Sequence, residues 1–513
     1  MLRFTRCVAV VGVAVAVAVA SAGCGRSAAP AATPPAIGVP RATPAFDARA
    51  IQDSGAINVL LRMGADVAPV SRDFQYLTDV IGPRLTGSAG MRRANDWTRE
   101  KLSAYGVDSV ALEEWPFGIG WTRGPLTMRL LAPHARELMA ASWAWAPGTD
   151  GPRAGDVVYV DATTRAEFEQ RFAGKLRGAW VMTGKPFPRT NPDAPDPVDS
   201  LRVDSLRKLL RVPRTEAHNA FLQEQQSLLA GQGIAGQIND GGKEFGLLTM
   251  GGSPDDVSPY PQVVVANSTF SGFHRLLAAG ERVSVEVNAA NAFGRDTLVQ
   301  WNTVGEIRGT DRSREVVLIG AHLDSWDLGT GATDNGAGAI AVLEAARLLG
   351  ALKHSGLRPR RTIRFVLFSG EEQGLYGSQY YALSHRAELP RYQAVLVLDN
   401  GTGRITGVAL QGWDELKDLW TTMMSPLEAL GPLAVRSGNK TGTDHLAFLP
   451  FGVPSFNYDQ MSRGYDHTHH SQADVLDQAV PKDIAQAATV MAVNAWQLAN
   501  VDLRLPRRSP PQR

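Results

Sequence analysis

The sequence predicts an α/β protein with a mainly parallel central sheet flanked by helices and a smaller β-rich domain inserted in its first half. Three observations carry this. From Trp301 onward the chain repeats strand, loop and helix. The strand-like runs there, "EVVLIG", "TIRFVLFS" and "AVLVLD", are largely apolar, as strands covered on both faces should be. Between about Phe117 and Asn291 the texture changes, and short β-like runs ("GDVVYV", "GAWVMTG", "GIAGQI", "PQVVVAN", "VSVEVNA") alternate with turn residues.

In chain order, residues 1–24 read as an export signal: "MLRFTR" is basic, and the apolar run after it is too short for a comfortable membrane span. The run ends in "SAGC" at Ser21–Cys24, which resembles a bacterial lipoprotein cleavage box with Ser where Leu or Val is usual. The expected product is exported, either lipidated at Cys24 and held to a membrane facing the periplasm or cell exterior, or secreted. Residues 25–48 form a Pro/Ala tether, and 49–116 begin the main domain with helical segments, among them "RRANDWTREKLSAYG", closed by Gly106. Residues 117–291 are the insertion, which also holds a Pro/Asp loop, "KPFPRTNPDAPDPVDS", and helical stretches "LRVDSLRKLLRV" and "NAFLQEQQSLLAGQ". Residues 292–503 complete the main domain with helices "GAIAVLEAARLLGAL", "LYGSQYYALSHRA" and "PKDIAQAATVMAVNAWQLA", and 504–513 read as a flexible tail.

The 513 residues balance 52 Lys and Arg against 51 Asp and Glu, so nothing points to nucleic acid or a polyanionic partner. With 44% apolar residues the chain can bury a sizeable core. Its two cysteines, Cys7 and Cys24, both lie at the front, leaving no thiolate metal site or disulfide framework in the body.

The chemistry gathers where strands end, since ligands of open α/β sheets bind beyond the carboxyl ends of the strands. "VVLIG" leads to His322 and Asp324, "IRFVLFSG" to Glu371 and Glu372, and "VLVL" to Asp399. Asp334 stands in the glycine-rich stretch before the helix near Gly336, and "GYDHTHHSQADVLD" adds His467, His469, His470 and Asp474. A helix cap would account for Asp334 alone. It would not account for three successive strands ending in acids or imidazole. Acids gathered at one edge repel one another unless cations intervene, and His plus carboxylate donors favour zinc or a similar divalent ion.

"HLDSWDLGTGATDNGAG", "FSGEEQGLYGS" and "HHSQADVLD" resemble the M28 family of zinc peptidases, di-zinc exopeptidases, nearest to the plasma glutamate carboxypeptidase branch. The resemblance runs from about Ile81 to Ala499 and implies that the insertion is a protease-associated domain. It further implies two Zn²⁺ per chain held by His322, Asp334, Glu372, Asp399 and His470, with Asp334 bridging and Glu371 as general base. Asp324 would hold the His322 ring by its other nitrogen. His470 is preferred to His469 because the family motif sets its ligand just before Ser or Thr with Asp after, as in "HSQAD". Two divalent ions, three carboxylates and a bridging hydroxide sum to neutrality, which a partly buried site requires. The loop "TGTDHLAFLPFGVPSF" resembles a family loop lining the substrate site, so Asp444 and His445, with His469, are candidates for substrate or transition-state contacts; loop-stabilising hydrogen bonds are the alternative role for the first two.

A serine hydrolase or single-zinc protease would need G-x-S-x-G or H-E-x-x-H, and neither occurs. The remaining alternatives are a glutaminyl cyclase-like enzyme of the same fold and a catalytically silent peptide-binding surface protein. The expected substrate is a short peptide or dipeptide with a free N-terminus; a carboxylate-reading enzyme would instead need a cation, for which Arg84, Lys440 and Arg463 are candidates. The resembled branch tends to form homodimers.

Overall fold

The apolar runs after Trp301 lie at the centre of an eight-stranded sheet in this computed structural model, which describes residues 53–188, 215–401, 403–462 and 464–508. The export segment, the tether, "LRVDSLRKLLRV", most of the Pro/Asp loop and Arg463 lie outside the described residues. The chain enters through helices Ser54–Gly64, Ala68–Gln75 and Ala89–Ala104. The last is capped by Ser88, whose hydroxyl accepts from the Met91 amide, and Gly106 follows it at φ 77°.

Strand β1 (Ser109–Thr122) then leads into β2 (Leu126–Ala132), β3 (Arg136–Leu138), β4 (Ala140–Ser142), β5 (Arg153–Val160), β6 (Trp180–Thr183), β7 (Gly236–Asp240), β8 (Gln262–Val265) and β9 (Ser284–Ala289), and the chain returns through β10 (Ala292–Ile307). Strands β2 to β9 form a second sheet of their own, so the β-rich insertion is real. Its start differs from expectation. Residues 117–122 belong to β1, which pairs with β10 as far as Thr122 opposite Ala292; bulges after Pro116 and Ile119 absorb the turn-like residues that mimic a boundary.

The main sheet continues with β11 (Arg312–His322), β12 (Arg361–Phe368), β13 (Tyr392–Val397), β14 (Ile405–Ala409), β15 (Ala434–Arg436) and β16 (Ser455–Gln460), in the order β1-β10-β12-β11-β13-β16-β14-β15. The run β12-β11-β13-β16 is parallel, while β1, β10 and β14 pair antiparallel beside it. Side chains alternate between the two covered faces. Val317, Ile319 and Ala321 pack with the helices Ala337–His354 and Pro481–Asn500, whereas Val316 and Leu318 pack with Tyr381, Tyr392 and Phe448. Both helices read as apolar nearly all round because both are core helices.

The expected flexible tail is corrected for 504–508. Leu505 is 2% exposed, Arg504 donates to the carbonyls of Pro390 and Arg391 at 2.7 and 3.0 Å, and Arg508 pairs with Glu415 at 2.8 Å. An apolar side chain between guanidiniums that satisfy open carbonyls is enough to dock the segment.

Candidate metal centre

Parallel strands open on one edge, so β11, β12 and β13 deliver their end residues together. His322 closes β11, Glu371 and Glu372 follow β12 through Ser369 and Gly370, and Asp399 follows β13. Asp334 reaches the same edge from the turn Ala332–Gly336, where it departs from helical backbone at φ −126° and ψ 90°. That turn begins at Gly331, φ 62°, where an added Cβ would lie 2.3 Å from the Ser325 Cβ and 2.7 Å from the Arg84 Nη2; only glycine fits. His469 and His470 come from the loop after the short helix Tyr465–Thr468.

The distances divide the donors into two sets. His322 Nε2 lies 3.4 Å from Asp334 Oδ1 and 3.5 Å from Asp399 Oδ1. His470 Nε2 lies 3.4 Å from Asp334 Oδ2 and 3.0 Å from Glu372 Oε2. Two donors each about 2.0–2.2 Å from one tetrahedral zinc ion sit about 3.3–3.6 Å apart, which the His322–Asp334, His322–Asp399 and His470–Asp334 spacings match, while His470 and Glu372 stand closer, at 3.0 Å. His469 Nε2 is farther from Asp334, at 3.8 Å, and its ring stacks on His470 with centroids 3.7 Å apart. Glu371 is in neither set: its Oε2 lies 3.9 Å from His322 Nε2, and it faces the cavity.

Buried polar atoms here lack protein partners, namely His322 Nε2, Asp334 Oδ2 and Glu372 Oε1. Such atoms are costly unless something pairs with them. Burial holds the carboxyls of Glu371 and Glu372 well above the ordinary range, with Asp399 and Asp334 respectively adding to it. Burial also works against a charged His322, yet Glu371 and Asp399 outweigh it and hold the imidazole well above its usual value. By themselves His322, Glu371 and Glu372 thus favour their protonated forms, whereas Asp334 does not. On His470 the same burial prevails over the pull of Asp334, keeping it below its usual value and its nitrogen free to coordinate. The residues fit a pair of divalent ions.

Asp474 and Asp324, both named from the sequence, take supporting roles that the sequence did not show. Asp474 accepts from the Thr333 amide at 2.6 Å, the Thr333 hydroxyl at 2.7 Å and the Asp334 amide at 3.2 Å, so it fixes the turn that carries Asp334. Its position within "HSQAD" was the available signal. Asp324 differs from the expected role. His322 Nδ1 lies 3.1 Å from the Asp324 backbone carbonyl but 3.6 Å from its carboxylate, which instead accepts from Thr86 at 2.9 Å and from the Glu371 and Glu372 amides at 3.3 Å. The carbonyl can only accept, so in a neutral ring Nδ1 carries the proton and Nε2 points to the acids.

Arg84 is corrected from substrate cation to scaffold. It is fully buried, and its guanidinium donates to the carbonyls of Leu323, Gly82, Thr330 and Gly331 at 2.6–3.1 Å. Burial brings its pKa down to about 10, against the pull of Asp474, Asp324, Glu372 and Asp334. It is a fixed positive charge beneath the acids. Lys440 is likewise engaged, with the Tyr458 carbonyl at 2.9 Å and Asp459 at 3.4 Å.

The cavity above the donors is about 370 Å³ and is lined by Glu371, Gln373, Asn400, Gly442, Tyr465 and His469 along with ligand residues. Asp444 and His445 are fully buried and do not line it; burial raises Asp444 to about 7 and lowers His445 to about 4. His445 Nε2 abuts the Gln411 side-chain amide. The insertion leans on the histidine loop: the Met250 amide donates to the His470 carbonyl at 2.9 Å, the Leu248 amide donates to Gln472 at 2.8 Å, and Phe245 meets the His467 ring edge-on.

Comparison with known proteins bears on this arrangement. The profile of peptidase family M28 matches residues 302–495, which span the whole donor set. Mouse carboxypeptidase Q is 30% identical over 436 residues, covering 84% of this chain and 86% of the mouse protein. The chain belongs to peptidase family M28. An M28 peptidase precursor from Shewanella amazonensis is similar in structure, with a TM-score of 0.73, 26% identity and coverage of 91% of this chain and 100% of that one. A zinc aminopeptidase from Bacillus subtilis, 17% identical with a TM-score of 0.60 over 85% of this chain and 98% of that one, shares the fold. This M28 chain is therefore a metallopeptidase, and its two donor sets lie within the matched region.

Proposed function

We propose that the chain is an exopeptidase that uses two zinc ions to hydrolyse short peptides bearing a free N-terminus. One observation carries the reading: the Asp334 carboxylate is divided, Oδ1 facing His322 and Oδ2 facing His470, each at 3.4 Å. His322 and Asp399 would hold one ion, Glu372 and His470 the other, and Asp334 both. When bound, such a pair acidifies water and polarises the scissile carbonyl. The single-ion site of a cyclase would leave half of this donor set idle.

The chain's own residues supply the rest. Glu371, outside both donor sets and facing the cavity, takes the water's proton and passes it to the leaving amine. Asp324 holds the turn bearing the base, and Asp474 holds the turn bearing Asp334. The insertion, which we read as a protease-associated domain, closes one side through its contacts with Gln472 and His470. Zinc is favoured by the His and carboxylate donors and by its presence in the Bacillus aminopeptidase of the same fold. We read the protein as exported and anchored through Cys24, the cysteine of the "SAGC" box.

The α-ammonium of a free peptide suits a wall rich in acids, and blocking it leaves those groups unpaired. Free dipeptides are expected to be cut at least about ten-fold better than their N-acetyl forms, as about 1.4 kcal/mol dictates. Paired kcat/KM measurements decide this. Equal rates, or a preference for the blocked form, would contradict a free-N-terminus enzyme.

A further inference from the structure

The cavity wall holds two amide side chains that the proposed chemistry leaves unused. Gln373 is 7% exposed, lines the cavity, and has neither its Nε2 nor its Oε1 paired within the protein. Asn400, also on the wall, has an unpaired Nδ2, while its backbone amide donates to Asp399 at 2.5 Å. Burying an unpartnered amide is unfavourable, and on the wall of a ligand site the missing partner is supplied by ligand.

The position of Gln373 says which part of the ligand. The amides of Gly374 and Leu375 both donate to the Glu371 carbonyl at 2.9 Å, so Glu371 and Gln373 share one tight turn. A base that returns its proton to the leaving nitrogen must face that nitrogen. Gln373 therefore stands beside the residue that leaves. A site demanding a carboxylate there would present a guanidinium or ammonium. Among the described residues lining the cavity there is no Lys or Arg; Arg84 and Lys440 are bound elsewhere, and Lys243, near the two histidines, donates to the Asp466 carbonyl.

We propose that Gln373, assisted by Asn400, reads the main chain of the leaving residue through neutral amide hydrogen bonds, accepting a C-terminal carboxylate or carboxamide alike. The proposal rests on the exopeptidase reading above and deepens it: the enzyme is a dipeptidase or aminopeptidase that does not require a free C-terminus.

The test compares three substrates with one N-terminal residue: a dipeptide, its C-terminal amide, and an aminoacyl 4-nitroanilide that lacks the leaving residue's main chain. Zinc-loaded full-length enzyme should cut dipeptide and amide within about five-fold of each other. Gln373→Leu should raise KM for both at least about ten-fold more than for the anilide, with zinc content retained. Gln373→Glu, placing a carboxylate where the donor was, should harm the dipeptide more than its amide. A wild-type preference for dipeptide over amide beyond about 100-fold, or equal losses on all three substrates in Gln373→Leu, would overturn the proposal. Wild-type enzyme inactive on all three would instead overturn the exopeptidase reading beneath it.

Discussion

Glu371→Gln is expected to keep its metal and its fold while losing about 10²–10⁴-fold in kcat, the usual cost of removing a general base. The substitution preserves shape and removes only the proton acceptor. Glu371 belongs to neither donor set, its carboxylate lies 3.9 Å from His322 Nε2, and its backbone amide, held by Asp324, is untouched. KM should change little because the wall contacts remain. Steady-state kinetics beside zinc analysis checks this. A variant with near wild-type kcat would mean that Glu371 is not the base, and zinc loss in proportion to activity would make it a ligand.

The second large effect falls on Asp334→Ala. Asp334 is common to both donor groups, so its removal takes an oxygen from each at once, whereas loss of Asp399, beside His322, or of Glu372, beside His470, weakens one. The helix Ala337–His354 and its packing should persist, since its buried face does not depend on the carboxylate. Because bound metal contributes several kcal/mol to the transition state, activity should fall by at least about 10³-fold. Asp474→Asn should act in the same direction but more mildly, about 10–100-fold in metal affinity, because it perturbs the turn and not the donors. Isothermal titration with Zn²⁺ distinguishes the two. Full zinc stoichiometry in Asp334→Ala would refute the shared-carboxylate geometry.

The ends of β11, β12 and β13 were legible because a both-faces-buried strand announces itself by an unbroken apolar run, and the residue after the run marks the open edge. The residues that hold the site were less legible. Asp474 meets Thr333 across 141 positions, and its role exists only once the loop has folded back. Arg84 looked like a free cation in "IGPRLTG", yet four carbonyls brought around it by the fold consume its donors. Gln373 was one polar residue among many in "GEEQG" until burial removed its partners. The insertion's texture was plain, but its start was not, because the change placed at about Phe117 falls inside β1, which continues through two bulges to Thr122. The tail misled in the same way: its prolines and arginines resemble a frayed terminus until Leu505 is seen buried.

Two ions shared through Asp334 are the centre of the proposed chemistry, and the metal stoichiometry of the active mature enzyme tests them most directly. Elemental analysis after gel filtration should find about two zinc ions per chain. Chelation should abolish activity, and restoring zinc should recover it in step with the second equivalent. One ion per active chain, or full activity with none and no gain on adding zinc, would contradict the account.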